Sequence, residues 1–260
     1  MPAKHLASAL LFTAALSACT PDNGTQNAAS GSGDKTGSVK LLNVSYDVAR
    51  DLYKDFNPLF TAEYKKQHNG ADIAVQQSHG GSSKQALAVA NGLKADVVTM
   101  NQGSDIELLV KKGLVKADWQ KAFPNNAVPF TSTTVFLVRK GNPKQIKDWN
   151  DLTQDNLKIV IANPKVTGNG RYTFLGAYGY GLKANNNDDA KAREYVKKML
   201  SKVEVFENGG RAATTTFVQR NIGDVLITFE NEANLSAKQF GNGEFEIVYP
   251  KYSVRMDSPV

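Results

Sequence analysis

The chain has a single cysteine, Cys19, and only three histidines among its 260 residues. One cysteine excludes an intramolecular disulfide. No histidine, His79 included, stands in a cluster of cysteine, histidine and acidic residues, so neither a metal site nor a cofactor is expected. Dense lysine and arginine runs interleaved with aromatic residues are also missing, which argues against nucleic-acid binding. The formal charge of +6 is a modest excess that could steer an anion towards the protein.

Long apolar runs are equally scarce. The stretch from Leu6 to Leu16 is apolar, but it is shorter than the about 20 residues needed to span a bilayer, and it predicts a signal peptide over residues 1–18. Leu16-Ser17-Ala18-Cys19 resembles a bacterial lipobox, in which Cys19 becomes the lipidated N-terminus; an ordinary cleavage site beside an unmodified thiol is the alternative. Residues 19–38 are almost free of apolar side chains and predict a flexible tether. We therefore expect an exported periplasmic protein that contacts the membrane only through its lipid.

Beyond the tether, strand-like runs alternate with helical patterns. Residues 39–46, 71–76 and 96–100 predict strands, and 48–68, 82–93 and 106–112 predict the intervening helices. This order predicts an α/β fold of sheets flanked by helices, and the chain is long enough for two lobes. We assign residues 39–130 to the first lobe, with 251–260 returning to it, and residues 131–250 to the second. The ligand would lie in the cleft between the lobes, beyond the carboxyl ends of the strands.

Two loops place glycine and hydroxyl residues where a helix should begin. They are SHGGSSKQ at 78–85 and NPKVTGNGR at 163–171, and Gly209-Gly210-Arg211 forms a third such segment. A helix start carries free N–H groups and the positive end of the helix dipole, so it can hold an anion without a charged side chain. Two such loops facing each other predict a clamp for a small oxyanion.

Several longer motifs indicate a family. LLNVSYD (41–47), QSHGGSSKQ (77–85), PFTSTTVFLVRKGNPKQIKDWNDL (129–152) and IGDVLITFENEA (222–233) resemble the sulfate-binding proteins, the periplasmic receptors of sulfate/thiosulfate ABC transporters. The resemblance runs from Val39 onward. It implies a type II periplasmic binding protein fold with two lobes that close on the ligand. It also implies a monomer that passes sulfate or thiosulfate to an inner-membrane permease and catalyses no reaction.

The resemblance also implies which residues hold the anion. Sulfate would be bound mostly by backbone N–H groups, with hydroxyl donors added, from Asp47, Ser82, Thr167, Gly168, Asn169 and Gly210. A site made only of donors suits unprotonated sulfate and disfavours a protonated oxyanion by roughly five- to 150-fold, because its O–H group meets no acceptor. We expect the Asp47 carboxylate to point away from the anion. Arg171, Arg211 and His79 are expected to support the site without touching the ligand.

The chain departs from the family at two site residues, Phe229 and Asn169, and in length. Asn169 stands where the family has glycine, which is tolerable because only its N–H is needed. Family members commonly have tryptophan where this chain has Phe229, which has no N–H to donate. Losing a charge-assisted hydrogen bond costs ~1.5–3 kcal/mol, so sulfate binding should be weaker or the preference shifted to another tetrahedral oxyanion such as molybdate. Family members also continue beyond the position of Val260. We therefore expect the first lobe to lack its C-terminal cover, and a truncated surface lipoprotein that transports nothing is the alternative. An exported hydrolase would need a nucleophile–base pair or a metal cluster, and the sequence offers no candidate catalytic residues.

Overall fold

The computed structural model describes residues 39–240 and 243–260. The predicted signal peptide (1–18), the tether (19–38) and Cys19 lie outside the described residues and stay predictions. The described residues belong to one compact unit. Within the described residues, no helix is both long and apolar enough to cross a membrane.

The first sheet is small and wholly parallel. Its order is β2-β1-β3, from the strands β1 (Val39–Tyr46), β2 (Ile73–Gly80) and β3 (Val97–Thr99). A 3-10 turn (Asp47–Ala49) leads from β1 into α1 (Arg50–Gln67), and α2 (Ser82–Ala90) and α3 (Gly103–Lys111) follow β2 and β3. Val44, Met100, Ile106 and Leu109 form the core between the sheet and α2 and α3.

The second sheet is larger and mixed. A 3-10 turn (Trp119–Lys121) and the short α4 (Pro124–Ala127) lead into it, and its strands run in the order β6-β5-β7-β4-β8, with β9 paired to β4. The strands are β4 (Phe130–Arg139), β5 (Ile159–Ala162), β6 (Val203–Glu207), β7 (Val225–Phe229), β8 (Phe245–Val248) and β9 (Arg255–Ser258). Its helical segments are the 3-10 turn Trp149–Thr153, α5 (Gly168–Ala184), α6 (Asp189–Leu200), α7 (Gly210–Val218) and α8 (Glu230–Phe240). Strand β5 is parallel to β6 and β7, whereas β4 is antiparallel to its neighbours. The predicted α/β class, with sheets flanked by helices, is confirmed.

The last residues, from β9 onward, contact elements of both sheets. Strand β9 pairs with the first half of β4. Just beyond it, the Met100 N–H donates to Pro259 O at 2.9 Å and the Val260 N–H donates to Ala127 O at 2.9 Å. Residues 259–260 therefore pack where β3 ends.

Two strands differ from the sequence-based prediction. Strand β2 continues through Ser78-His79-Gly80, which we predicted as loop, because these residues pair in parallel register with the buried end of β1. Strand β9 was not predicted, since Arg255-Met256-Asp257-Ser258 has no apolar run to indicate it.

An apolar groove lies beside α1, which has no fully buried residue. It has a volume of about 1000 Å³ and its lining includes Leu41, Phe56, Phe60, Val75, Phe123, Phe130 and Val260. Phe56 and Leu59 of α1 are exposed.

Candidate anion-binding site

Four helical segments that follow strands in the chain begin at residues predicted to bind the anion. They are the turn at Asp47 after β1, α2 after β2, α5 after β5 and α7 after β6. Each leaves its first N–H groups without a partner inside the helix and directs the positive end of its dipole beyond the sheet. The first two belong to the first sheet and the other two to the second.

The loops before these helices touch across the two sheets. A Cβ atom added to Gly81, which precedes α2, would lie 2.7 Å from Val166 O and 3.2 Å from Thr167 Cγ2. A Cβ atom added to Gly168, at the start of α5, would overlap the amide oxygen of Asn101, which follows β3. The two loops that the sequence singled out therefore face each other in van der Waals contact.

Thr167 caps α5. Its hydroxyl accepts the Gly170 N–H at 3.0 Å and donates to Asn163 O at 2.8 Å. This leaves the N–H groups of Gly168 and Asn169, the first two of the helix, as the donors that α5 offers. The hydroxyl that the resemblance assigned to the anion is engaged in the cap.

Ser82 begins α2 and is buried, with 1% of its surface exposed. Its hydroxyl donates to Asp105 Oδ2 at 2.6 Å, and the neighbouring Ser83 hydroxyl donates to Asp105 Oδ1 at 2.9 Å. The Ser82 hydroxyl also accepts the Asn101 N–H at 3.2 Å. Because both hydroxyls serve the buried Asp105 carboxylate, Ser82 is left with its backbone N–H for a ligand.

Arg171 lies one turn into α5 and is also directed at Asp105, with Nη1 at 3.6 Å from Oδ1. Its Nε donates to Pro164 O at 3.3 Å. The guanidinium therefore holds the loop before α5 through Pro164, and it links the starts of α2 and α5 because both contact the Asp105 carboxylate.

Asp47 bridges the first sheet to α7. Its Oδ2 accepts the Arg211 N–H at 3.0 Å, so the carboxylate lies at the start of α7. That it points away from the anion stays a prediction. Burial raises the pKa of this carboxyl to about 6, aided by the charge of Glu232 and opposed by the Arg211 N–H. Gly210 begins α7, and a Cβ atom there would lie 3.1 Å from Asn169 Nδ2 and 3.1 Å from Val48 Cγ2.

The Arg211 side chain pairs with acids. Its Nη1 lies 3.3 Å from Glu232 Oε1 and 3.7 Å from Asp51 Oδ2. Glu232 is fully buried, and burial raises the pKa of its carboxyl. Both arginines that follow these helix starts are thus engaged by carboxylates.

Phe229 ends β7 and is 1% exposed. It packs edge-to-face against Tyr172 of α5, with ring centroids 5.7 Å apart. The preceding residue, Thr228, accepts a hydrogen bond from Asn169 Nδ2 at 3.3 Å. Phe229 therefore lies behind the start of α5 and presents no donor.

His79 lies on β2, and its Nδ1 is 2.7 Å from Ser45 Oγ. Burial lowers the pKa of its imidazole, and the nearby Arg50 charge acts in the same direction. Within residues 39–240 and 243–260 there is no group of three or more metal-ligating side chains.

Sequence reasoning missed the acids that organise the site. Asp105 reads as an ordinary first-turn acid of α3, and Asp51 has the same role at the start of α1. Glu232 likewise lies in the first turn of α8. No local pattern indicates that these carboxylates converge on two arginines, because every contact joins distant parts of the chain.

Comparison with known proteins identifies relatives of this chain. The family model described as bacterial extracellular solute-binding protein matches residues 43–260. The chain is 58% identical to a thiosulfate-binding protein of Pseudomonas aeruginosa over 85% of its length, which is 66% of that protein. It is 49% identical to a sulfate-binding protein of Escherichia coli, covering 85% of this chain and 67% of that one. The chain thus spans about two thirds of the length of these relatives.

A solved structure also resembles this chain in fold. The sulfate-binding protein SubI from Mycobacterium tuberculosis H37Rv superposes with a TM-score of 0.75 at 31% sequence identity, over 85% of this chain and 74% of that one.

Proposed function

Because this chain belongs to the bacterial extracellular solute-binding proteins, we propose that it captures sulfate or thiosulfate in the periplasm and delivers it to an ABC permease. The relatives that it resembles are named for both anions. The single observation that carries the proposal is the close contact between helix starts of the two sheets, with both flanking arginines paired to carboxylates.

The proposed ligand donors are backbone N–H groups, from Asp47, Ser82, Gly168, Asn169 and Gly210. Peptide N–H groups at helix starts satisfy an anion that can only accept hydrogen bonds. They also leave the ligand's charge spread over several dipoles, which favours release to a permease more than an arginine fork would. Binding and delivery, without catalysis, are what this arrangement suits.

Closure by a hinge between two lobes belongs to the same proposal. The first lobe would contain residues 39–130 and 251–260, and the second residues 131–250. The contacts of Pro259 and Val260 with Met100 and Ala127 support this division. In the complete precursor, residues 1–18 would direct export, Cys19 would carry the lipid, and 19–38 would be the tether. A Cys19→Ala variant should then leave the membrane fraction.

A thermal-shift panel tests the ligand class. Sulfate and thiosulfate at about 100 times the dissociation constant should stabilise the protein by ~2.7 kcal/mol, a rise in Tm of about 5–10 °C. Phosphate at the same concentration should give a smaller shift, because at neutral pH it carries a proton that the donors cannot accept. A shift with molybdate alone would reassign the ligand, and hydrolysis of a generic phosphate ester would contradict the binding function.

Two variants at Ser82 isolate the N–H group. Proline is well tolerated at the first position of a helix, and the preceding Gly81 has φ −58° and ψ 131°, which proline permits. Ser82→Pro removes both the N–H and the hydroxyl, whereas Ser82→Ala removes only the hydroxyl. We expect the proline variant to bind sulfate about 10- to 150-fold more weakly than the alanine variant by isothermal titration. Equal affinities would remove Ser82 from the proposed site.

A further inference from the structure

We propose that Asp47 is a positioning residue. Its carboxylate accepts the Arg211 N–H, and this contact holds the helix starts of the two sheets together, so that a bound anion is retained. We call this Asp47–Arg211 contact the clasp. The inference rests on the proposed function, because the effect of the clasp is on anion retention.

The clasp joins distant parts of the chain beside the proposed ligand donors. Asp47 follows β1 of the first sheet, and Arg211 lies in α7, which follows β6 of the second. Oδ2 of Asp47 is 3.0 Å from the Arg211 nitrogen. The N–H groups proposed to bind the anion belong to Asp47 itself and to Gly210, the residue before Arg211. Consecutive N–H groups at a helix start point in the same general direction, so the clasp aligns one donor from each sheet.

The Arg211 side chain adds a second contact between the start of α7 and the elements around Asp47. Its guanidinium reaches Asp51 of α1, at 3.7 Å, and the fully buried Glu232 of α8, at 3.3 Å. The buried Glu232 carboxylate is compensated by the Arg211 guanidinium and by the Thr214 hydroxyl. Since a buried carboxylate that loses its cation is costly, Glu232 holds the guanidinium in place. Arg211 thereby keeps its backbone N–H directed at Asp47.

Gly209 makes room for the clasp. A Cβ atom at Gly209 would overlap Asp47 Oδ2 and meets atoms of no other residue within 4 Å. Its φ of −170° is extended and suits alanine. Gly209→Ala therefore displaces the carboxylate from the Arg211 N–H while leaving every charge and every proposed donor in the chain.

The experiment is a double-mutant cycle on anion affinity and dissociation rate, by isothermal titration and stopped-flow fluorescence with sulfate and with thiosulfate. We expect Asp47→Ala and Gly209→Ala each to weaken binding about 10- to 100-fold, mostly through faster dissociation. Asp47→Asn should stay within about threefold of wild type, because its amide oxygen can still accept the N–H. The Asp47→Ala/Gly209→Ala double variant should bind like Asp47→Ala, since the added methyl group meets no carboxylate.

The control is Asp55→Ala, which removes an exposed acid on α1 one turn from Asp51 and should leave binding unchanged. If the wild type binds the anion and Gly209→Ala binds it with the same affinity, the clasp is overturned but the proposed function is not. Additive losses in the double variant would have the same meaning. If Asp47→Ala does not fold, Gly209→Ala and Asp47→Asn decide the question by themselves. If the wild-type protein binds neither anion, the proposed function fails and the clasp fails with it.

Discussion

Gly81→Ala tests whether the cleft must close to atomic contact around its ligand. The new methyl group would lie 2.7 Å from Val166 O, about 0.7 Å closer than an ordinary van der Waals contact allows. Val166 O belongs to the backbone and cannot turn aside, and Thr167 Cγ2 at 3.2 Å and Asn208 O at 3.4 Å enclose the same space. Gly81 has φ −58°, so alanine introduces no backbone strain of its own.

Overpacking of this kind costs ~1–3 kcal/mol, which corresponds to a five- to 150-fold loss of sulfate affinity. The Tm of the ligand-free protein should change little, because opening the cleft relieves the overlap. Isothermal titration and ligand-free melting curves should be compared with Gly103→Ala, where a Cβ atom meets nothing within 4 Å. Equal affinity of the two variants for sulfate would refute the reasoning that the loops close on one another.

Three further predictions concern single side chains. Phe229→Trp should strengthen sulfate binding by about tenfold or more, if an indole N–H supplies a further charge-assisted hydrogen bond; an unchanged affinity in titration would dismiss this. Thr167→Val should destabilise the fold by ~1 kcal/mol in urea unfolding, because the Gly170 N–H loses its cap, whereas Thr167→Ser should not. For Asp47, the folded pKa of about 6 exceeds the usual 3.8, so the folded protein binds more protons between those values and its stability falls as pH rises through that window. Asp47→Asn should therefore be more stable than the wild type at about pH 7, by ~1–3 kcal/mol, and should show no such gain at about pH 4, as ligand-free urea unfolding can measure.

Much of the fold could be predicted because it is recorded in local apolar patterns. The alternation of strands and helices from Val39 to Val248 follows such patterns, and the predicted fold class is confirmed. Strand β9 escaped prediction because Arg255–Ser258 is polar and is held by pairing with β4, an interaction that no local pattern reveals. The end of β2 escaped for the same reason.

The candidate site was predicted only in part. Helix starts rich in glycine and hydroxyl residues are visible in the sequence, so both facing loops could be proposed. The partners of their side chains could not be, because Ser82 and Arg171 meet on Asp105, and Asp47 meets Arg211, only after the chain has folded. Pairing of carboxylates with distant residues leaves no periodic pattern in the sequence, so only the folded structure reveals it.

The close approach of backbone to backbone has a consequence for how such a site tolerates mutation. At Gly81, Gly168 and Gly209 the structure requires an empty volume rather than a chemical group. In a substitution library selected for sulfate binding, replacements at these positions should be depleted, most strongly for large side chains, while the exposed Lys84 beside them should accept most. The positions most sensitive to substitution would then be glycines that lack a side chain, and a search for charged or catalytic residues would not find them.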